Sequence, residues 1–383
     1  MRSNPSSIKA AFILIAMVFL VAAADSLADE PARRDSATMN YSWAGNKIEA
    51  ELWGMAQGDI DGNGSAETVL LERKDVRIGR IGEKGFEGLF TCTWKADAAG
   101  VRVYLFDIDS DGKDEAVVSA VEAGMPSSLI LKIDPAAKSC TEIVSRARWS
   151  LRVIDLPAEG GDSGATKRAL VGQGSNSQKF YTGPVMELKL KEKKLVADRK
   201  IDIPRYTELY QFILLPSVEG APRAVRLAGP AAMELREQLG GKGWKRAWRS
   251  GERLGGTSNV IAAEQRPLLD EVSSEYAGFE TPPIALARSD GTHLVVPKFD
   301  IPLRNAVGRK PYIRGSAMVV FKPDQVLGFV EERRSPDLPG AIVDYIMDRD
   351  HPGRLLVLLQ EDAGAFENSQ RSTIMGFDLE PLH

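Results

Sequence analysis

Apolar residues in this chain come in short bursts bounded by glycine, proline, aspartate and asparagine, with few long helical patterns. The strongest bursts are 68–71, 116–120, 169–171, 224–227, 294–296 and 355–359. Each follows a shorter strand-like segment across a turn, so each reads as the second strand of a hairpin. After each burst come stretches in which apolar and polar residues alternate, as half-buried strands require. These are 76–81 and 89–94, 129–133 and 141–144, 185–190 and 195–201, 232–235 and 244–248, and 318–321 and 326–330. A single segment, 373–379, follows the sixth burst.

A hairpin followed by two outer strands, repeated six times, predicts an all-β fold, a single β-propeller. Irregular intervals between repeats are loop insertions, tolerated because each blade packs only on its neighbours. The sixth repeat lacks a fourth strand, whereas 41–47 is a spare strand ahead of the first hairpin. The expectation is an N-terminal strand completing the C-terminal blade, which removes the open seam. Six blades are preferred. Seven is the alternative, with the extra blade hidden in an insertion at 257–282. There Leu268, Leu269 and Val272 sit at partial helical spacing, so a helical turn or two is expected.

The first residues alter the picture of compartment. Arg2 and Lys9 precede an apolar run over 10–24, and small residues end at Ala28. This is the layout of a secretory signal peptide, 1–28, with cleavage after Ala28 or, second, after Ala24. The propeller then occupies 29–383. The run is short for a membrane span, so no stable span is expected after cleavage; an uncleaved anchor is the alternative. The protein is expected to be secreted, periplasmic or extracellular. A net charge of −4 offers no basic excess for nucleic acid. Cys92 and Cys140 are the only cysteines, and each follows the first aspartate of its repeat by the same interval. Equivalent outer-strand positions of successive blades lie too far apart to bridge, so two unpaired thiols are expected.

Candidate chemistry sits in two hairpin turns. One reads Asp59-Ile60-Asp61-Gly62-Asn63-Gly64-Ser65-Ala66-Glu67, the other Asp107-Ile108-Asp109-Ser110-Asp111-Gly112-Lys113-Asp114-Glu115. Oxygen-bearing side chains at positions 1, 3, 5 and 9 of a tight turn converge on one hard cation, and calcium takes six to eight such oxygens. The glycine at position 6 permits a positive φ. The candidate ligands are Asp59, Asp61, Asn63, Glu67 and the Ser65 carbonyl, then Asp107, Asp109, Asp111, Glu115 and the Lys113 carbonyl. An EF-hand needs glutamate at position 12, where Leu70 and Val118 stand here. The stretches GDIDGNGSAE and FDIDSDGKDE resemble the calcium loops of FG-GAP or VCBS repeats, the blades of the integrin α N-terminal propeller. The resemblance implies calcium at both loops and a propeller around them; its motif covers two of the six blades. Without metal, Asp-Gly and Asn-Gly clusters are also ordinary hairpin turns. In the sixth hairpin Asp348, Asp350 and Gly353 survive, but Pro352 and Leu356 replace ligands, and no metal is expected there.

In a four-stranded blade the turns between strands one and two share a face with those between three and four. The other face carries three long connections, 174–183, 300–315 and 361–371, which hold Lys179, Phe180, Tyr181, Arg309, Tyr312, Arg314, Phe366 and Arg371. Loops on a rigid scaffold that offer aromatic and arginine anchors suit a protein or glycan partner. No GxSxG, HExxH or Walker pattern occurs, and histidine stands only at 293, 351 and 383. The reading is a non-enzymatic, calcium-stabilised scaffold for protein binding, assembly or adhesion. A carbohydrate-binding module is the alternative, and a calcium-assisted polysaccharide lyase or hydrolase a third reading. Trp43, Trp94, Trp149, Trp244 and Trp248 recur near fourth strands, which suits packing between blades; Trp53 stands nearest the first hairpin.

Overall fold

The structure is a computed structural model that describes residues 36–157, 166–218, 221–228, 232–238, 240, 243–255, 257, 259–262, 276–300, 313, 315–361 and 371–379. By contact the chain divides into Met1–Ser36 and Ala37–His383, and the fold described is that of the second unit. The proposed signal peptide and the helical turn proposed around Leu268 lie outside the described residues. Among the described residues, every regular element is a strand.

Two strands open the chain, β1 (Ala37–Thr38) and β2 (Asn40–Ile48). Blade 1 follows as β3 (Gly54–Gly58), β4 (Glu67–Leu71), β5 (Asp75–Gly82) and β6 (Gly85–Thr93). Blade 2 is β7 (Ala99–Phe106), β8 (Glu115–Glu122), a short β9 (Met125–Pro126), β10 (Ser128–Asp134) and β11 (Ser139–Ala147). Blade 3 is β12 (Ser150–Pro157), β13 (Thr166–Gly174), β14 (Thr182–Lys191) and β15 (Lys194–Lys200). Blade 4 is β16 (Phe212–Val218), β17 (Ala221–Ala228), β18 (Ala232–Gln238) and β19 (Trp244–Arg249). A two-stranded ribbon, β20 (Val260–Ala262) and β21 (Tyr276–Gly278), intervenes. Blade 5 is β22 (Ile284–Arg288), β23 (Gly291–Asp300), β24 (Gly315–Asp324) and β25 (Gly328–Arg334), with β26 (Leu338–Pro339) paired to β24. Blade 6 is β27 (Ala341–Met347), β28 (Arg354–Glu361) and β29 (Arg371–Asp378).

The fourth strand of blade 6 is β2, antiparallel to β29 from Asn40↔Asp378 to Ile48↔Ser372. The ring has six blades. The insertion adds a small ribbon between blades 4 and 5, so the seven-blade alternative falls away. The N-terminal strand closes the ring as its spare apolar–polar pattern required. It also does more: β1 runs parallel to β25 of blade 5, and the Met39 amide donates to Arg334 O at 2.8 Å. The N-terminal segment therefore straps two blades.

The second strands read as nearly continuous apolar runs because each is covered on both faces by neighbouring blades. All five residues of β4 are buried, as are most of β8 and β28. Apolar clusters fill the seams between blades: one joins blades 1 and 2, another blades 2 and 3, a third blades 4 and 5. Others join blades 5 and 6 and close the ring between blades 6 and 1.

The cysteines overturn their expectation: Cys92 and Cys140 form a disulfide, with Cα atoms 5.9 Å apart. The equal sequence intervals do not mark equivalent places. Cys92 is the penultimate residue of β6, paired with Val76, whereas Cys140 is the second residue of β11, paired with Ile133. Blade 2 spends extra residues on β9, so its fourth strand begins later. Sheet twist carries the end of β6 against the start of β11. Both cysteines face the same seam and clip the outer edges of blades 1 and 2 together.

The ribbon and its flanks cap one end of the propeller axis. Asn259, wholly buried, donates from its side chain to Val101 O. Phe279 is also wholly buried and packs edge-on against Phe180, Tyr181 and Tyr210. Tyr345 Oη donates to Pro282 O at 2.8 Å, which fastens the return of this segment to blade 6.

Candidate functional site

Both acidic turns fold the same way, and their own side chains are the reason. In the first, Asp59 Oδ1 accepts from the amides of Gly62 (2.7 Å) and Asn63 (3.0 Å), and Oδ2 from Gly64 (2.8 Å). In the second, Asp107 accepts from the amides of Asp111 (3.1 Å) and Gly112 (3.0 Å). The position-9 glutamate closes each turn onto its second residue: Ile60 N to Glu67 Oε2 and Ile108 N to Glu115 Oε2 are both 3.1 Å. Positions 4 and 6 adopt positive φ in both copies, at Gly62 (80°) and Gly64 (86°), and at Ser110 (61°) and Gly112 (84°). A Cβ at Gly64 or Gly112 would meet nothing, so backbone conformation rather than crowding demands glycine there.

Oxygens of Asp59, Asp61 and Glu67 lie within 4.8 Å of one another, as do those of Asp107, Asp109 and Glu115. Ligands held about 2.3–2.6 Å from one calcium ion span at most about 5 Å, so the three oxygens of each set are close enough together to share one ion. Asn63 and Asp111 flank these sets. Asn63 Oδ1 accepts from Ser65 N at 2.7 Å, and Asp111 Oδ1 from Lys113 N at 3.0 Å. That places the Ser65 and Lys113 peptides in the same turns.

Basic side chains from the third strand of each blade enter both clusters, a feature missed in the bare pattern. Lys132 Nζ lies 2.7 Å from Asp109 Oδ2, 2.7 Å from Asp111 Oδ2 and 3.5 Å from Glu115 Oε1. Arg80 Nη2 lies 2.6 Å from Glu67 Oε1 and 3.9 Å from Asp61 Oδ2. Hydrogen bonds to Asp109 and Asp111 hold the Lys132 ammonium above the usual lysine range. Burial pushes the Glu115 carboxyl up to about 7, with Asp109 and Asp111 adding to it and Ile108 N–H and Lys132 opposing. The two turns also touch. Asp114 N donates to Asp59 O at 2.8 Å, and Asp59 N to Asp114 Oδ2 at 3.0 Å. In the degenerate sixth hairpin, His351 and Arg354 approach the buried Asp348 carboxylate, and Arg349 N donates to Gln57 Oε1 at 2.9 Å.

No protein-family model matches the chain, and no curated protein sequence matches it either. A structure it resembles is described as "BBS1N in complex with ARL6DN, soaked with lead". That likeness covers 91% of this chain and 99% of that one, with 10% identity and a TM-score of 0.47.

On the opposite face the long connections differ from expectation. Phe180 is buried and Tyr181 half-buried beneath the insertion, and Tyr181 Oη donates to Gly278 O at 2.8 Å. These two rings are core under a cap rather than exposed anchors, because the insertion needed an apolar seat. Lys179 is exposed, and Arg371 Nε pairs with Glu49 at 3.0 Å. Arg309, Tyr312, Arg314 and Phe366 lie outside the described residues.

A second polar assembly lies on the axis. Asp344 of β27 is buried and accepts four hydrogen bonds, from Arg102 Nη2 (2.8 Å), Met55 N (2.9 Å), Thr281 Oγ1 (3.0 Å) and Tyr345 N (2.9 Å). One carboxylate thereby joins blades 6, 2 and 1 to the capping segment. Its sequence signal was available: Val101-Arg102-Val103 and Leu151-Arg152-Val153 put an arginine inside the apolar first strand of two successive blades.

Proposed function

We propose that this protein is a secreted β-propeller of the FG-GAP/VCBS kind, stabilised by calcium at two adjacent turns, which serves as a scaffold for protein binding or adhesion. The observation that carries the reading is the duplicated turn, with carboxylate oxygens converged to calcium distances and held by matching backbone hydrogen bonds. Asp59, Asp61, Asn63 and Glu67 would hold one ion with the Ser65 carbonyl; Asp107, Asp109, Asp111 and Glu115 would hold the other with the Lys113 carbonyl. Lys132 and Arg80 stand where the ions' charge would act, so calcium enters by displacing them. The Cys92–Cys140 disulfide supports an oxidising compartment. A ring closed by strand pairing and a disulfide supports a rigid platform for loops. The carbohydrate-binding alternative asks for exposed aromatic platforms, and all six tryptophans are buried or half-buried.

The test is a thermal melt of the chain lacking 1–28, in calcium and in chelator, with bound metal measured by mass analysis. At tenfold saturation each site adds about 1.4 kcal/mol, so the melting temperature should rise with calcium and not with magnesium. An unchanged melt with no bound metal would remove the calcium from the reading. Affinity capture from the secreted fraction, with and without calcium, tests the scaffold role.

A further inference from the structure

A cavity of about 340 Å³ runs along the propeller axis, walled by the first strands of the blades. The capping segment 281–283 lines its inner end. The exposed Asp155, Arg168 and Arg349 lie at its other end, on the face that carries the acidic turns. The charged groups lining it are Arg102, Arg152, Arg168, Arg349, Asp155 and Asp344. Asp344 is committed to Arg102 and three further donors. Arg349 pairs with Asp114 at 3.4 Å, and Arg168 donates to Leu105 O at 2.6 Å.

Arg152 has no such counterpart. Its side chain is 5% exposed, its one hydrogen bond runs from Nη1 to Leu209 O at 2.7 Å, and no described carboxylate pairs with it. It sits over the Phe212 ring, 5.0 Å from the centroid. The buried Tyr104 hydroxyl lies beside both Arg102 and Arg152 and approaches the Arg102 guanidinium without a well-aligned hydrogen bond to it, and Arg102 Nε is likewise unsatisfied. Burial pulls the Arg152 guanidinium down to about 10 and Arg102 adds repulsion, yet the group stays charged at neutral pH. A buried cation without a counterion is a costly arrangement unless something supplies the missing charge.

We propose that the axial cavity is a binding site for a small organic anion, whose carboxylate or phosphate is held by Arg152 and the Tyr104 hydroxyl. The planar guanidinium fork matches either oxyanion. Ile154, Ile213, Leu214 and Ile284 supply apolar wall for a carbon body. The volume lies at the lower end of the usual range for small-molecule pockets, about 300–1,000 Å³. None of the proposed calcium ligands lines the cavity.

The test uses the calcium-saturated chain lacking 1–28, titrated by calorimetry and thermal shift with benzoate and with phenyl phosphate. Benzamide and sodium chloride at matched ionic strength are the controls. Saturable binding of at least one of the two anions is expected, with no response to benzamide; the stronger arm assigns carboxylate or phosphate. Arg152→Gln should weaken that binding at least tenfold, and Tyr104→Phe several-fold, while the calcium response stays intact. Absence of saturable binding, a response matched by chloride, or equal affinity in R152Q overturns the proposal. Should R152Q fail to fold, an unchanged affinity in Y104F overturns it instead.

Discussion

At the residue scale, the charged pair buried on the axis joins side chains of different blades. Asp344 accepts from Arg102 Nη2 and three further donors at the centre of the ring. Removing one partner of a buried pair leaves the other charged and unpaired, at a cost of about 3–5 kcal/mol. Asp344→Asn should therefore lower the denaturant midpoint sharply; a loss below about 1 kcal/mol would show that the pair is not holding the blades. Glu115 supplies a second residue-scale expectation. Its carboxyl is pushed up to about 7 by burial, so a proton would compete below that pH with the calcium proposed for the second turn. Calcium affinity should fall between pH 8 and pH 6, and Glu115→Gln should weaken calcium at both pH values and flatten that dependence. Calorimetric titrations of both forms at the two pH values check this. Arg80 and Lys132 were not legible as partners of these acids, because register alone brings a third-strand side chain over a first-to-second-strand turn.

At the scale of elements, the hairpins were the most legible part of the chain. Segments 68–71, 116–120 and 355–359 lie inside β4, β8 and β28, because a strand covered on both faces cannot avoid a continuous apolar run. The fourth strands were less legible, and Cys140 shows why. Its distance from Asp107 matches that of Cys92 from Asp59, but β9 displaces the later strand, so equal spacing conceals unequal position. The pairing of Cys92 with Cys140 closes a loop of sequence separation 48. Disulfides of such spans contribute typically about 2–4 kcal/mol. The double variant Cys92→Ala with Cys140→Ala should lose about that much in chemical denaturation. Reducing agent should then shift the wild-type midpoint and leave the variant's unchanged. The insertion was illegible for a different reason: Asn259 and Phe279 carry no periodic signal, and only the ring tells them where to sit. Phe180 and Tyr181 were misread with it, since an aromatic pair in a long loop looks the same whether it faces a partner or a cap.

At the scale of the whole molecule, the ring depends on the strap formed by β1 and β2. Lys47 of β2 pairs with Glu361, 314 residues away, and Met39 is held in the seam between blades 5 and 6. This has a consequence for the order of events in synthesis. β1 and β2 precede blade 1 in the chain, whereas their partners, β25 and β29 respectively, come after blade 4. Blades 1 to 5 have their four strands in hand as they appear, but the ring stays open, with apolar edges bare, until β29 has been made. Closing so long a loop is entropically slow compared with pairing neighbours. A circular permutant in which residues 40–48 follow Leu379 makes that pairing local. It should refold faster than the natural order in stopped-flow fluorescence, with a smaller change in unfolding rate. In this arrangement ring closure waits for β29, and a chain truncated before β29 lacks the strand on which its own β2 must dock.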